Sequence, residues 1–407
     1  MKIALVADPG SPHTRAWVTG LLERGFAVHV FSAQKQLPPI DLPARVFAPL
    51  AVPGAIPPPR DPHLVRRRES GADPWRLRTI TRAARLVPAF RRWLREVRPN
   101  RLLALRFQPE GYLASWGGFT PYGLVSWGQD VLRFAHGHRL HRWCARYAVR
   151  RAALLLGETD AVTGAIRDLG ASPARVLKGL TGIDLGFWRP PGPADIDLAR
   201  EDLLARHPDW SAWIEAAEAG TPVVCSPRGI APRGHQRELI QALAGCRSAP
   251  ILVQLGMGTE AARDRCRELV DELGISERYV DLGRVSPEDL RSVYWLSDLI
   301  ASLWSPDGLS QTLLEAMAVG SPVLAADISG NREWIVPEQN GLLAHPEDPG
   351  AIRRAVDLGL SDRTLRARVR EAGRTCVEAR ADRHRNMDAL TRLIRIMGQS
   401  AATQEEA

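Results

Sequence analysis

Lysine is nearly absent from this chain. Only Lys2, Lys35 and Lys178 occur among 54 basic side chains, so its positive charge is carried by arginine. A bias spread so widely follows in part from genome composition, and only its local clustering bears on function. Cysteine is scarce as well. Cys144, Cys225, Cys246, Cys266 and Cys376 are odd in number, scattered, and never form a Cys-x-x-Cys pair. This argues against a disulfide framework or zinc ribbon and fits small buried residues in a reducing compartment. No apolar run approaches the ~18 residues of a membrane span, and no charged, apolar, small-residue leader opens the chain. The expectation is a cytoplasmic protein, free or peripheral on the inner face of the membrane. His136, His138 and His141 lack cysteine or acid partners at ligand spacing. They read as surface or structural residues, and no metal site is expected. With neither a zinc pattern nor an RNP-like aromatic strand, nucleic acid is not an expected partner.

The charge that is present is uneven. Residues 1–190 carry 29 Lys and Arg against 13 Asp and Glu, a net +16; residues 191–407 carry 25 against 33, a net −8. Much of the excess lies in Arg66-Arg67-Arg68 and between Arg76 and Arg98. There Leu77, Ile80, Ala84, Val87, Phe90, Leu94 and Val97 recur at helical spacing, with Arg78, Arg82, Arg85, Arg92 and Arg95 on other faces. Pro88 is expected to kink or break this helix. A basic amphipathic helix suits an anionic membrane surface or a phosphorylated lipid. The alternative is a core-facing helix with a solvated arginine face.

At 407 residues the chain exceeds a comfortable single core, and two βα-repeat halves can be traced. The first opens on Lys2-Ile3-Ala4-Leu5-Val6-Ala7, of buried parallel-strand type, followed by the turn Asp8-Pro9-Gly10-Ser11-Pro12 and a helix. Gly10 and His13 therefore fall at the carboxyl end of a first strand, where open α/β sheets place ligands. His13 is a ligand candidate, with a helix-cap or surface role as the alternative. The second half begins near Thr221, after a proline-rich, acidic stretch. Within that stretch Asp195-Ile196-Asp197 reads as a helix start, not a metal motif. The expected division is 1–190, a connector at 191–220, 221–379, and a last helix plus low-complexity tail at 380–407.

Three loops of the second half carry candidate chemistry. Trp304-Ser305-Pro306-Asp307-Gly308 ends the apolar run 299–303 and leads into helix formers from Gln311 to Val319. A helix starting near Ser310 points free N–H groups at this loop, Gly308 admits close backbone approach, and Glu315 reaches the same place from one or two turns in. After the strand-like 222–226 segment, Pro227-Arg228-Gly229-Ile230-Ala231-Pro232-Arg233-Gly234-His235 sets two guanidinium groups five residues apart across a turn, suited to one diphosphate. Tyr279-Val280-Asp281-Leu282-Gly283-Arg284-Val285-Ser286 is a third strand end. Gly256-Met257-Gly258 reads as a turn, since a lone Gly-x-Gly is weak evidence of phosphate binding. Taken singly, Asp307 and Glu315 also fit turn and surface roles, and Arg228 and Arg233 fit an arginine-rich loop.

The ordered run Asp307, seven residues, Glu315, then Ala316-Met317-Ala318-Val319-Gly320-Ser321-Pro322-Val323 resembles the donor-binding signature of the family 4 retaining glycosyltransferases. Asp307 stands where most members carry Glu, which retracts the carboxylate by about 1.5 Å. Arg228 and Arg233 resemble the family's Arg and Lys, and 279–286 resembles its base-reading loop. Leu124-Val125-Ser126-Trp127-Gly128-Gln129-Asp130 resembles its His-Gly-x-Asp element, with Trp127 in place of His. The resemblance implies a GT-B α/β fold, two Rossmann-like domains facing across a cleft, in which the last helix crosses back to the first domain. It implies retaining transfer from a nucleotide-diphosphate sugar to a hydroxyl acceptor, with no cofactor or essential metal. By resemblance, Arg228, Arg233 and Asp307 are catalytic. Arg284, Val285, Gly308, Leu309, Ser310 and Glu315 join them around the donor, and Trp127 and Asp130 are acceptor-side candidates; from their place at the first strand's end, Gly10 is added to the donor side and His13 to the acceptor side. Two rivals remain: a GT-B nucleotide-sugar epimerase or hydrolase, and an idle nucleotide-sugar-binding partner.

Overall fold

The computed structural model describes residues 1–34, 42–49, 74–135 and 138–399. It divides into two compact units, one from Met1 to Gly182 joined by the segment from Arg383, the other Ile183–Asp382. The Arg66-Arg67-Arg68 run and His136 lie outside the described residues. The first unit's end at 182 differs from the expected 190, and the segment that rejoins it starts at Arg383 and not 380. The 191–220 connector is helical, as expected from its helix start at Asp195. It forms the helices Asp195–Arg206 and Ser211–Glu218 of the second unit. Its proline-rich entry hides an apolar pattern, Ala199, Leu203, Trp210, Trp213 and Ile214, that the fold buries.

In the first unit seven parallel strands form one sheet. These are β1 (Lys2–Val6), β2 (Ala27–Phe31), β3 (Arg45–Phe47), β4 (Arg101–Leu105), β5 (Tyr122–Val125), β6 (Leu154–Gly157) and β7 (Val176–Lys178), in the order 3-2-1-4-5-6-7. Such strands need crossover helices, which cover both faces. Alternation along β1 shows the consequence. Ala4 and Val6 join the core under the helices Pro74–Val97 and Arg139–Arg151, whereas Ile3 and Leu5 join the core under Pro12–Leu22 and Arg383–Ile396.

The Pro74–Val97 helix is unbroken at Pro88. Pro88 and Ala84 are both exposed, so water can serve the Ala84 carbonyl that loses its amide partner. Ala84, expected on the apolar stripe, faces out; Ala83, Leu86, Phe90, Trp93, Leu94 and Val97 are buried. This helix spends its apolar face on the core and leaves Arg78, Arg85, Arg92 and Arg95 in solvent. His138 accepts from Leu140 N at the start of the Arg139–Arg151 helix, and buried His141 lies 2.8 Å from the Tyr112 hydroxyl, so both are structural.

The second unit repeats the plan with β8 (Val223–Ser226), β9 (Ile251–Leu255), β10 (Tyr279–Gly283), β11 (Leu299–Ser302), β12 (Val323–Ala326) and β13 (Leu342–Ala344). All six are parallel, in the order 10-9-8-11-12-13. Each sheet thus reverses direction once, between β1 and β4 and between β8 and β11. No helix among the described residues is long and apolar enough to cross a membrane.

The first unit's dependence on its returning helix is testable. Met387 is fully buried in the core shared with Trp17 and Leu21. Met387→Ala is expected to cost about 2–5 kcal/mol, read as an earlier first-unit transition in urea.

Candidate functional site

Parallel strands deliver their loops to one edge, and at a reversal of strand order adjacent loops diverge and leave a crevice. In the second unit the two loops at that point bring the predicted residues together. Arg228 follows β8, Asp307 follows β11, and Arg228 Nη1 donates to Asp307 Oδ2. Trp304 lies beside them, its ring centre 4.3 Å from the Arg228 guanidinium carbon and 5.4 Å from that of Arg233. A ring quadrupole holds cations in place without neutralising them. Asp307 engages only one terminal nitrogen of Arg228, so the guanidinium fork keeps further N–H groups for an anion.

The backbone around these side chains is packed without room for a Cβ. One on Gly229 would lie 2.0 Å from the Met257 carbonyl oxygen, and one on Gly330 would lie 2.2 Å from that of Gly308. The Gly256-Met257-Gly258 segment therefore abuts the Arg228 loop directly. Gln254, buried inside β9, donates to the Arg228 carbonyl at 2.7 Å and fixes the loop from below. Arg263 pairs with Asp281 and donates to the Gly256 carbonyl at 2.9 Å, tying the ends of β9 and β10 together. Beyond them Arg284 is exposed and Val285 half-buried.

Glu315 lies in the second turn of the Gln311–Ala318 helix and is only 9% exposed, unlike an ordinary surface acid. Burial first, and then the Glu315 charge, hold the neighbouring Tyr294 phenol protonated, with Arg228 acting in the opposite sense. Ser310 occupies the N-cap position, but its hydroxyl lies 2.8 Å from Thr312 Oγ1 and caps no backbone group. The N–H groups of that first turn keep no side-chain cap. Gly308 is buried and Leu309 half-buried between them.

The first unit builds its own cluster at the β1/β4 reversal. Arg106, after β4, lies 3.7 Å from Asp8, after β1, and donates to Glu110 at 3.2 Å. Arg106 also holds φ 110° and ψ 158°, a region nearly reserved for glycine. His13 and Trp127 stack with ring centres 4.7 Å apart, and the Arg106 guanidinium carbon lies 5.2 Å from the Trp127 ring centre. Gly10 is exposed and donates to the Asp8 carboxylate at 3.1 Å. Asp130 is different. It is buried, Oδ2 accepts from Phe107 N at 2.9 Å, and Oδ1 accepts from the Ser126 hydroxyl at 2.6 Å. Its oxygens brace the loops that carry Phe107 and Ser126.

The sequence reading missed Trp304, Gln254, Arg106 and Glu110. Gln254 did leave a signal, a lone amide inside an apolar strand; Glu110 left none. Among the described residues no group of three His, Cys, Asp or Glu is placed to hold a metal ion. The five cysteines are free, four of them buried and Cys376 partly so.

Residues 229–375, within the second unit, match the family model described as glycosyl transferases group 1. One relative is an uncharacterized glycosyltransferase of Methanocaldococcus jannaschii, 36% identical over 26% of this chain and 27% of its own length. Another is the D-inositol 3-phosphate glycosyltransferase of Corynebacterium urealyticum, 28% identical over 56% of this chain and 54% of its own. The match to these two thus spans between about a quarter and about half of their length. The GDP-mannose-dependent alpha-(1-6)-phosphatidylinositol monomannoside mannosyltransferase of Mycobacterium tuberculosis is 27% identical over 64% of this chain and 68% of its own. Among solved structures, the sucrose-phosphate synthase of Thermosynechococcus elongatus gives a TM-score of 0.77 at 19% identity, covering 97% of this chain and 98% of that one. Anabaena HepE in complex with UDP and glucose gives 0.73 at 18%, covering 97% and 99%. At such identities the likeness concerns the fold, which is GT-B.

Two outcomes test this geometry. Gly229→Ala is expected to push the Arg228 loop away from Met257 and cost the second unit about 1–3 kcal/mol, read as an earlier urea transition of that unit, with the first unit's transition unchanged. Glu110 tests the first unit. Burial outweighs Arg106 and pushes its carboxyl from the ordinary 4.5 up to about 7. The folded state therefore binds a proton that the unfolded chain has already released, and stability falls as pH rises between these values. Glu110→Gln removes that loss. The stability difference, variant minus parent, should move in the variant's favour between pH 4.5 and 7 and level off above, measured by urea denaturation.

Proposed function

We propose that this protein is a retaining glycosyltransferase that moves a sugar from a nucleotide-diphosphate sugar to a hydroxyl acceptor. The observation that carries the reading is the convergence of Arg228, Arg233 and Asp307 around Trp304 at the β8/β11 reversal, with Glu315 buried nearby. Support comes also from the group 1 model match and from relatives whose names specify glycosyl transfer.

In this reading Arg228 and Arg233 hold the diphosphate, and Asp307 holds the donor sugar. Glu315 accepts from the ribose hydroxyls, with Arg284 and Val285 beside the base and the Gly308–Ser310 backbone on sugar and phosphate. The bond between the sugar's anomeric carbon and the phosphate oxygen breaks. Negative charge then grows on the diphosphate, where two preorganised guanidinium groups stabilise it. The acceptor oxygen attacks the same face, and its proton passes to the leaving phosphate oxygen. The products are the retained glycoside and a nucleoside diphosphate. No protein general base is required, so positioning decides the rate. The hydroxyl acceptor is expected at the first unit, where His13 and Trp127 are the half-buried candidates, and no metal is expected to be essential.

Glu315→Ala and Arg228→Ala should each weaken nucleoside diphosphate binding by about tenfold or more. Asp307→Ala should largely keep that affinity while transfer falls by roughly 10²–10³-fold. Calorimetry with UDP, GDP, ADP and TDP, with and without magnesium, followed by assays of the matching sugar nucleotides, reads both effects. Unchanged affinity in the first two variants would overturn the site, and donor conversion without an acceptor would point to an epimerase or hydrolase.

A further inference from the structure

The Arg139–Arg151 helix of the first unit carries a face that the chemistry above does not use. Its sequence, RLHRWCARYAVRR, holds five arginines and no acid. His141, Cys144, Ala145, Ala148 and Val149 face the core. At 100° per residue the opposite face is centred on Trp143, with Arg150, Arg139 and Tyr147 around it and Arg146, Leu140, Arg151 and Arg142 toward its margins. Trp143 is 60% exposed and Leu140 38%. Trp143 stacks on Tyr147 at 6.0 Å, and Arg151 lies 5.1 Å from the Tyr147 ring. None of the five arginines makes an ion pair among the described residues.

An indole left in water among uncompensated guanidinium groups is unfavourable for an isolated soluble helix and well matched to one environment. We infer that this face docks on an anionic lipid bilayer. Indole and phenol rings settle at headgroup level, and arginine pairs with lipid phosphates while its stem stays apolar. Thirteen helical residues span about 20 Å, enough to lie flat in that interface. The helix Pro74–Val97, where a membrane contact was expected from sequence, is a poorer candidate. Its exposed face is basic, but Leu86, Phe90, Trp93, Leu94 and Val97 are committed to the core, with Ile80 and Val87 packed against it. Charge there can attract a bilayer, but among its described side chains, from Arg78 onward, no large apolar one is exposed. The docking inference does not depend on the transfer chemistry.

The test uses the full chain in co-sedimentation with vesicles of phosphatidylcholine alone, or phosphatidylcholine with one-third phosphatidylglycerol. Binding is expected to the anionic vesicles only and to fall with added salt. Trp143→Ala and the charge reversal R142E/R146E should each lower the bound fraction by roughly fivefold or more. The reversal R85E/R92E on the Pro74–Val97 helix should have a clearly smaller effect, and unchanged melting profiles would show that all variants fold. Absent vesicle binding, equal binding to neutral vesicles, or full binding by Trp143→Ala would each overturn the inference. So would a loss in R85E/R92E as large as in R142E/R146E, which would reduce the effect to diffuse charge. Binding to a single-stranded oligonucleotide without vesicle binding would overturn it in favour of a nucleic-acid surface.

Discussion

The chemistry of this protein depends on one reversal of strand order in each sheet. A parallel sheet sends all its strand ends to one edge, and only where the order turns back do the following loops separate enough to admit a ligand. In the second unit β8 and β11 flank that point, and Arg228 and Asp307 are the residues their loops present. In the first unit β1 and β4 flank it, and Asp8 and Arg106 take the equivalent places. Both units therefore span the crevice with an arginine–aspartate contact. Each adds a tryptophan against the guanidinium, Trp304 in one and Trp127 in the other.

The two crevices are held differently. In the second unit the loops touch through bare backbone, Gly229 on Met257 and Gly308 on Gly330, while the buried amide of Gln254 anchors the Arg228 carbonyl. Rigid main chain suits a site that binds phosphate, because preorganised donors need no rearrangement as charge develops. In the first unit the loop side chains are held by charge and strain. Arg106 sits at positive φ above a fully buried Glu110 whose second oxygen finds no partner among the described residues. Arrangements of this kind persist where surrounding packing enforces them, and they concentrate at functional sites.

The basic excess of the first half divides, in three dimensions, between surfaces with different apolar content. The Pro74–Val97 helix pairs its arginines with a buried hydrophobic stripe; the Arg139–Arg151 helix pairs them with an exposed tryptophan. Net charge alone could not tell these apart, since both segments are arginine-rich and both are amphipathic by periodicity.

The sequence alone settled whatever depends on local order. Runs such as 2–6 and 299–302 announced buried parallel strands, and the Gly/Pro turns after them announced where loops would leave the sheet. The ordered residues from Asp307 to Val323 carried a glycosyltransferase resemblance, and they fall inside the segment that matches the group 1 model. Tertiary structure decided whatever depends on distant residues meeting. Asp130 proved to be a loop brace because Phe107 and Ser126 reach its carboxylate, and the 191–220 stretch became part of a unit because its tryptophans found a core. Trp304, Arg106 and Glu110 gained their roles from neighbours far away in the chain or from burial. Burial and electrostatic partnership are properties of packed surroundings, and a linear pattern records them only where periodicity or a motif already encodes the contact.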